Sequence, residues 1–245
     1  GGWLTAGSGR LDITGKPNGE AYYTMVALEQ SKGPYIACEP VYQRGSHSPS
    51  AWKMSSAIRS WSYRGCEGYK AKIEVYARAH SVELLINGRS VGKKTSRNDC
   101  VFCFKAPYEN GTITAISYDK DGRQIGRDEL HTASSKTKLS LLPEKKSVPT
   151  GHLSYIRLRY TDENGVWKPM EKHRIKLAVE NGTLLGFGSA CPYQPNGYLN
   201  DTADTYYGEA LAVIRVGEPG ELKVSATDEG RTVELTQTIR EAEVL

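Results

Sequence analysis

Between Gly65 and Asp121 apolar and polar residues alternate in short runs, and each run stops at residues that favour turns. In Lys70 to Ala77, Ile73 and Val75 share one face while Lys72, Glu74 and Tyr76 take the other, the period of two that marks a half-buried strand. Val82 to Ile86 runs into Asn87-Gly88, a pair that tolerates the positive φ angles of a tight hairpin. Phe102 to Phe104 and Thr112 to Tyr118 repeat the pattern, with Tyr108-Glu109-Asn110-Gly111 between them and Asp119-Lys120-Asp121-Gly122 after them. Short strands at this spacing predict a β-sandwich, beginning near Ser56 and ending at Ala133.

A polar run, Ser134-Ser135-Lys136-Thr137-Lys138, follows without apolar periodicity and reads as a linker. Beyond it Ile156, Leu158 and Tyr160 alternate up to the turn Asp162-Glu163-Asn164-Gly165, and Ile175, Leu177 and Val179 alternate up to Asn181-Gly182. After a stretch rich in Gly, Pro and Asn, Leu211 to Val216, Leu222 to Ala226 and Val233 to Ile239 complete six or seven strands of a second β domain.

Residues 1–33 follow a different rule. Asn18 can cap a helix in which Tyr22, Met25, Val26 and Glu29 keep helical spacing, and Gly33-Pro34 stops it. Its apolar face needs a partner, and no second helical segment offers one, so the helix reads as orphaned from a larger domain. Tyr35 to Pro40 is extended, and Gly45-Ser46-His47-Ser48-Pro49-Ser50 reads as a loop. The predicted division is 1–50, 51–135 and 136–245.

Composition narrows the function. The chain has 245 residues and a net charge of +4 spread along its length, with Lys93-Lys94 and Lys145-Lys146 the tight basic pairs. Phosphate binding needs a clustered basic face, so no nucleic-acid partner is predicted. No apolar run approaches the roughly 20 residues of a bilayer span. Gly1-Gly2-Trp3 is an odd way for a gene to begin and reads as the start of a piece of something longer. Five cysteines cannot all pair, and their irregular spacing reads as free thiols, which leans towards an intracellular setting. Cys100 and Cys103 stand three apart in an extended run and so point to opposite faces; no metal site is predicted from them. Histidines 47, 80, 131, 152 and 173 stand singly, without a nucleophile motif or metalloprotease spacing. Asp119 with Asp121 and Asp201 with Asp204 sit among turn residues. Gly186-Phe187-Gly188-Ser189 lacks the Lys-Ser/Thr and helix of a phosphate loop and reads as the end of a strand.

The segment Arg59-Ser60-Trp61-Ser62-Tyr63-Arg64-Gly65-Cys66-Glu67-Gly68 resembles one in the family 2 glycoside hydrolases, the β-galactosidase group, where a Trp and a Glu-Gly pair precede the first strand of the sandwich after the catalytic barrel. The resemblance continues through Ile73 to Tyr76, Val82 to Gly92 and Gly111 to Ala115. Leu185 to Ser189 and Tyr206 to Val213 are similar to the terminal immunoglobulin-like domain of the same enzymes. Gly9 to Pro17 resembles the segment after the last barrel strand, with residues 18–32 as its closing helix, and Trp3 falls where the eighth strand ends near the sugar. The implied fold is all-β: two tandem immunoglobulin-like β-sandwiches with a short N-terminal helical remnant of a (β/α)8 barrel.

Retaining glycosidases need two carboxyl groups about 5 to 5.5 Å apart. In this family both are glutamates on barrel strands, the acid following an Asn, and no Asn-Glu dipeptide occurs in the chain. The resemblance therefore implies non-catalytic accessory domains whose parent hydrolyses terminal β-linked sugars, galactosides first, with no cofactor. The implied partners are the parent's own catalytic barrel, a glycan, and a second copy in the parent oligomer. Sugars stack on flat aromatic faces, for which Trp3, Trp52, Trp61, Tyr63 and Trp167 are the candidates; packing is the competing role for Trp3 and Trp61. Two rival readings stand beside this one. One is a carbohydrate-binding module pair; the other is a bacterial surface immunoglobulin-like adhesin repeat, against which the two halves do not repeat one another.

Overall fold

The computed structural model describes residues 2–3, 9–43 and 53–242. The predicted loop at 45–50 and the candidate Trp52 lie outside the described residues. The chain divides into two compact units, residues 7–133 and residues 134–245 together with residues 1–6.

In the first unit β1 (Tyr35–Cys38), β2 (Lys70–Tyr76) and β5 (Val101–Pro107) form one antiparallel sheet in the order β1-β2-β5. A second antiparallel sheet has the order β4-β3-β6-β7, from β3 (Ser81–Ile86), β4 (Arg89–Thr95), β6 (Thr112–Tyr118) and β7 (Gln124–His131). Alternation decides what each strand buries. Ile73, Val75, Phe102 and Phe104 from one sheet meet Val82, Leu84, Ile86 and Ile113 from the other in a single core. Asn87 and Gly88 take φ of 50° and 77°, the left-handed pair that the β3–β4 hairpin requires.

That core is completed by a loop. Trp61, Tyr63 and Cys66, from the connection leading into β2, are buried with Tyr108 between the sheets. The Tyr108 hydroxyl accepts the Tyr63 N–H at 3.0 Å and reaches Asn110 Oδ1 and Thr132 Oγ1 at 3.0 Å. Thr132 Oγ1 in turn donates to the Trp61 carbonyl at 2.8 Å, so the buried polar atoms of the plug are partnered.

The sandwich starts earlier than its sequence pattern suggests. β1 pairs with β2 through Ile36↔Val75 and Cys38↔Ile73, whereas the alternation predicts a start near Ser56. Four residues are too few for a period of two to stand out.

Helix α1 (Gly19–Ala27) also finds its partner within the chain. Val26 is fully buried against Ala37, Ala57 and Tyr76, on the side of β1 and β2 turned away from the core. Tyr76, predicted on the polar face of β2, is the surface that receives the helix. Asn18 occupies the cap position but forms no side-chain cap; its Nδ2 donates to the Gly9 carbonyl at 2.9 Å. Gly19 permits the approach, since a Cβ there would stand 2.7 Å from the Ala57 carbonyl oxygen. An ion pair ties these parts together. Arg59 Nη1 and Nη2 meet Asp128 Oδ2 and Oδ1 at 2.7 and 3.0 Å, Oδ2 also accepts the Ile36 N–H at 2.7 Å, and the guanidinium lies 5.2 and 5.4 Å from the Tyr22 and Tyr35 rings.

The second unit is also two sheets. One has the order β12-β14-β10-β8, from β8 (Lys138–Pro143), β10 (Leu153–Thr161), β12 (Gly182–Gly188) and β14 (Glu209–Val216). The other has the order β13-β11-β15-β16-β9, from β9 (Ser147–Pro149), β11 (Arg174–Glu180), β13 (Thr202–Asp204), β15 (Gly220–Asp228) and β16 (Arg231–Arg240). β9 runs parallel to β16, with Val148 opposite Ile239; the remaining pairings are antiparallel. Ile156, Leu158, Ile175, Ile214, Val224 and Phe187 lie in its mainly aliphatic core. Strands β8, β9, β12 and β13 escape the sequence pattern for local reasons. β8 starts inside the polar run and ends on a proline, β9 and β13 have three residues each, and β12 carries glycines at 182, 186 and 188. Gly186-Phe187-Gly188 is the end of a strand, as its sequence context predicts.

Candidate functional site

Burial sorts the aromatic candidates. Trp61 and Tyr63 are fully buried: the Trp61 Nε1–H donates to the Glu109 carbonyl at 3.0 Å, and its ring centre stands 4.7 Å from that of Tyr108. Neither ring has a face to offer a sugar, so both are withdrawn as contacts and belong to the core. Trp167 is half-buried; it forms an isolated bridge with Thr161, and its Nε1–H donates to the Tyr207 carbonyl at 2.8 Å. Trp3 differs from all of these. It is 72% exposed and bridges to Tyr193, itself 50% exposed, with ring centres 5.5 Å apart at 65°.

The segment after β12 is what presents this pair. The Gln194 N–H donates to the Gly2 carbonyl at 2.6 Å, and Gln194 Nε2 donates to Ser189 Oγ at 3.0 Å, which anchors the turn to the strand end. Gly2 is required there, because a Cβ would lie 2.8 Å from the Tyr193 ring and 2.9 Å from Pro195. An exposed Trp edged by a Tyr supplies an apolar face with a polar rim, the chemistry a pyranose ring recognises. Tyr193 is absent from the sequence-derived candidates; its one signal is its place in the Gly-, Pro- and Asn-rich stretch, where loops carry function.

The acidic pairs behave as turn and surface groups. Asp119 Oδ1 accepts the N–H groups of Asp121 and Arg123 at 2.9 Å each. Asp204 pairs with Arg174 at 3.0 Å, and Asp201 lies 3.9 Å from Lys176. The five cysteines are free, Cys38 and Cys66 buried and Cys103 exposed. Burial, with Glu39 and Glu74 nearby, pushes the Cys38 thiol well above its usual range, which leaves it an inert thiol.

Titratable side chains gather at one end of the second unit, where Glu171, His173, Asp228, Glu229 and Arg231 surround Tyr160. Burial pulls the His173 imidazole down, but the carboxylates of Glu171, Asp228 and Glu229 outweigh it and leave the pKa raised. Among the described residues no helix is long and apolar enough to cross a membrane.

Comparison with known proteins places each unit. The profile of a domain of unknown function (DUF4982) matches residues 68–126, within the first sandwich. That of the glycoside hydrolase family 2 C-terminal domain 5 matches residues 139–236, nearly the whole of the second. The β-galactosidase BoGH2A of Bacteroides ovatus is 26% identical over 184 residues, covering 73% of this chain and 20% of that protein. The crystal structure of a family 2 glycosyl hydrolase from Bacteroides cellulosilyticus superposes with a TM-score of 0.85 at 25% identity, covering 95% of this chain and 32% of that one. A β-glucuronidase of family 2 shares the fold, with a TM-score of 0.74 at 20% identity over 97% of this chain and 23% of that one. The chain thus spans about a fifth to a third of the length of these proteins. Its two sandwiches correspond to the C-terminal region of family 2 glycoside hydrolases.

Proposed function

We propose that the chain is the accessory, non-catalytic part of a longer family 2 glycoside hydrolase, whose acid/base and nucleophile are carried by a catalytic domain elsewhere in the same protein. Its work is to brace that domain and to shape the approach of substrate. The carrying observation is the match of residues 139–236 to a C-terminal domain of the family, on a sandwich where Asp201 and Asp204 are held in surface ion pairs. Sequence similarity reaches a β-galactosidase at 26% identity and a putative β-glucuronidase of Formosa agariphila at 28%, so β-galactosides and β-glucuronides are both candidate substrates of the parent. The shared fold of a β-glucuronidase means that fold by itself does not choose the sugar.

A second reading has its own observation. The exposed Trp3–Tyr193 pair offers a sugar-stacking face, which makes direct glycan contact part of the accessory role. Both readings are tested in the intact protein by assaying β-galactoside and β-glucuronide side by side, with and without Trp3→Ala. The proposal expects one substrate to be strongly preferred and Trp3→Ala to raise KM more than it lowers kcat. Unchanged kinetics in the variant would remove the contact role, and no turnover of either glycoside would remove the parent activity.

A further inference from the structure

The cluster at the end of the second unit holds an arrangement that ion pairing leaves incomplete. His173 immediately precedes β11, where its backbone N–H donates to Thr205 Oγ1 at 3.0 Å and its carbonyl accepts the Thr205 N–H at 2.9 Å. Its ring packs on Tyr160 with centres 4.6 Å apart. Nε2 stands 2.8 Å from Glu171 Oε2, so Nε2 carries the proton and donates to that carboxylate. Glu171 is held in turn by Lys168 at 3.1 Å and by the Thr137 hydroxyl at 3.0 Å. The other ring nitrogen, Nδ1, is buried and has no hydrogen-bond partner.

Two carboxylate oxygens face that nitrogen. Asp228 ends β15 with its side chain 3% exposed. Its Oδ2 accepts from the Tyr160 hydroxyl at 2.5 Å and from Arg231 Nη2 at 3.1 Å, while Oδ1 is buried without a hydrogen-bond partner, 3.6 Å from His173 Nδ1. Glu229, in the β15–β16 turn, brings Oε1 to 3.5 Å from the same nitrogen, and the three ligand atoms lie within 4.8 Å of one another. An imidazole lone pair and two anionic oxygens repel one another unless positive charge lies among them. A proton on Nδ1 would draw an acceptor in to about 2.7–3.2 Å, which neither oxygen reaches. Bonds of about 2.1 Å to a tetrahedral cation instead place neighbouring ligand atoms roughly 3.4 Å apart, close to both distances.

We propose that His173 Nδ1, Asp228 Oδ1 and Glu229 Oε1 form a binding site for a divalent transition cation of the zinc class. The Glu171–His173 contact completes it in the manner of metal-bound histidines, whose second ring nitrogen donates to a carboxylate and so fixes the ring and its tautomer. One nitrogen and two oxygens suit zinc better than calcium, which takes six to eight oxygens. Glu229 is 71% exposed and leaves a coordination position for water on the solvent side. The cation would tie the β15–β16 turn to the start of β11, a structural role independent of the glycoside reading, which stands or falls separately.

Zinc titration of the EDTA-stripped chain tests this, in a background with Cys100, Cys103 and Cys191 replaced by Ser to remove the competing accessible thiols. One equivalent is expected to bind, raising the unfolding temperature by roughly 5 °C at about a hundred times Kd. Glu229→Gln lies at the exposed tip, so it folds even where Asp228→Asn does not. It is expected to weaken zinc binding about tenfold or more with the melting of the metal-free chain unchanged. Cobalt in place of zinc is expected to give the strong visible absorption of a tetrahedral site, lost in the same variant. No saturable zinc uptake, or uptake of equal affinity in Glu229→Gln, would overturn the proposal and leave the trio as a protonated histidine among carboxylates.

Discussion

The two sandwiches solve the same packing problem with different materials. The first fills its interior with a loop, since Trp61, Tyr63 and Tyr108 sit between sheets whose strands are short. The second closes mainly on aliphatic side chains from its strands and holds one buried polar group of side chains around Tyr160 and Asp228, apart from the buried Ser154–Gln237 pair. An aromatic plug needs partners for its hydroxyls and indole N–H, which is why the first unit invests in the Tyr108, Thr132 and Glu109 contacts. Aliphatic side chains need none, and Tyr160 is the core member of the second unit whose hydroxyl is held, by Asp228.

The sharpest way to break that contrast is Trp61→Ala. It removes a fully buried indole from the plug and is expected to cost about 3–5 kcal/mol, seen as lost hydrogen-exchange protection in peptides from residues 70–131. A cost near 1 kcal/mol would mean that the plug does not hold the first core. Next is Asp128→Ala, which leaves Arg59 and the Ile36 N–H without their shared acceptor. Urea unfolding should show a loss of roughly 2–3 kcal/mol, and α1 should lose protection along with β1.

How far these features could be read in the chain follows from their chemistry. The β2, β3, β5 and β6 strands declare themselves because their buried apolar residues recur at every second position, and Asn87-Gly88 names its own turn. β7, in Gln-Ile-Gly-Arg-Asp-Glu-Leu-His, is an edge strand with little to bury, so its alternation is lost. Tyr76 follows the period of two correctly, yet the face assigned to solvent is covered by α1, a tertiary fact that no local pattern contains. The aromatic candidates show the same limit, because a Trp in a loop reads alike whether the loop plugs a core, as at 61, or reaches solvent, as at 3. His173 and Asp228 are 55 residues apart, and only the pairing of β11 with β15 brings them together.

Smaller effects sharpen the contrast from the other side. Tyr160→Phe removes one hydrogen bond to a buried carboxylate in the second unit while keeping the ring. It is expected to cost about 1–2 kcal/mol in urea unfolding, well below the loss of the plug. Trp3→Ala comes last. With its ring 72% exposed, stability should stay within about 0.5 kcal/mol of the unaltered chain, and any glycan affinity should fall.

The role proposed for this chain is to support glycoside hydrolysis without performing it. The direct measurement is release of nitrophenol from nitrophenyl β-galactoside and β-glucuronide by the purified chain alone. The account predicts no release above buffer with either substrate; turnover that co-purifies with the chain and survives mixing with catalytic-domain inhibitors of a contaminating enzyme would contradict it.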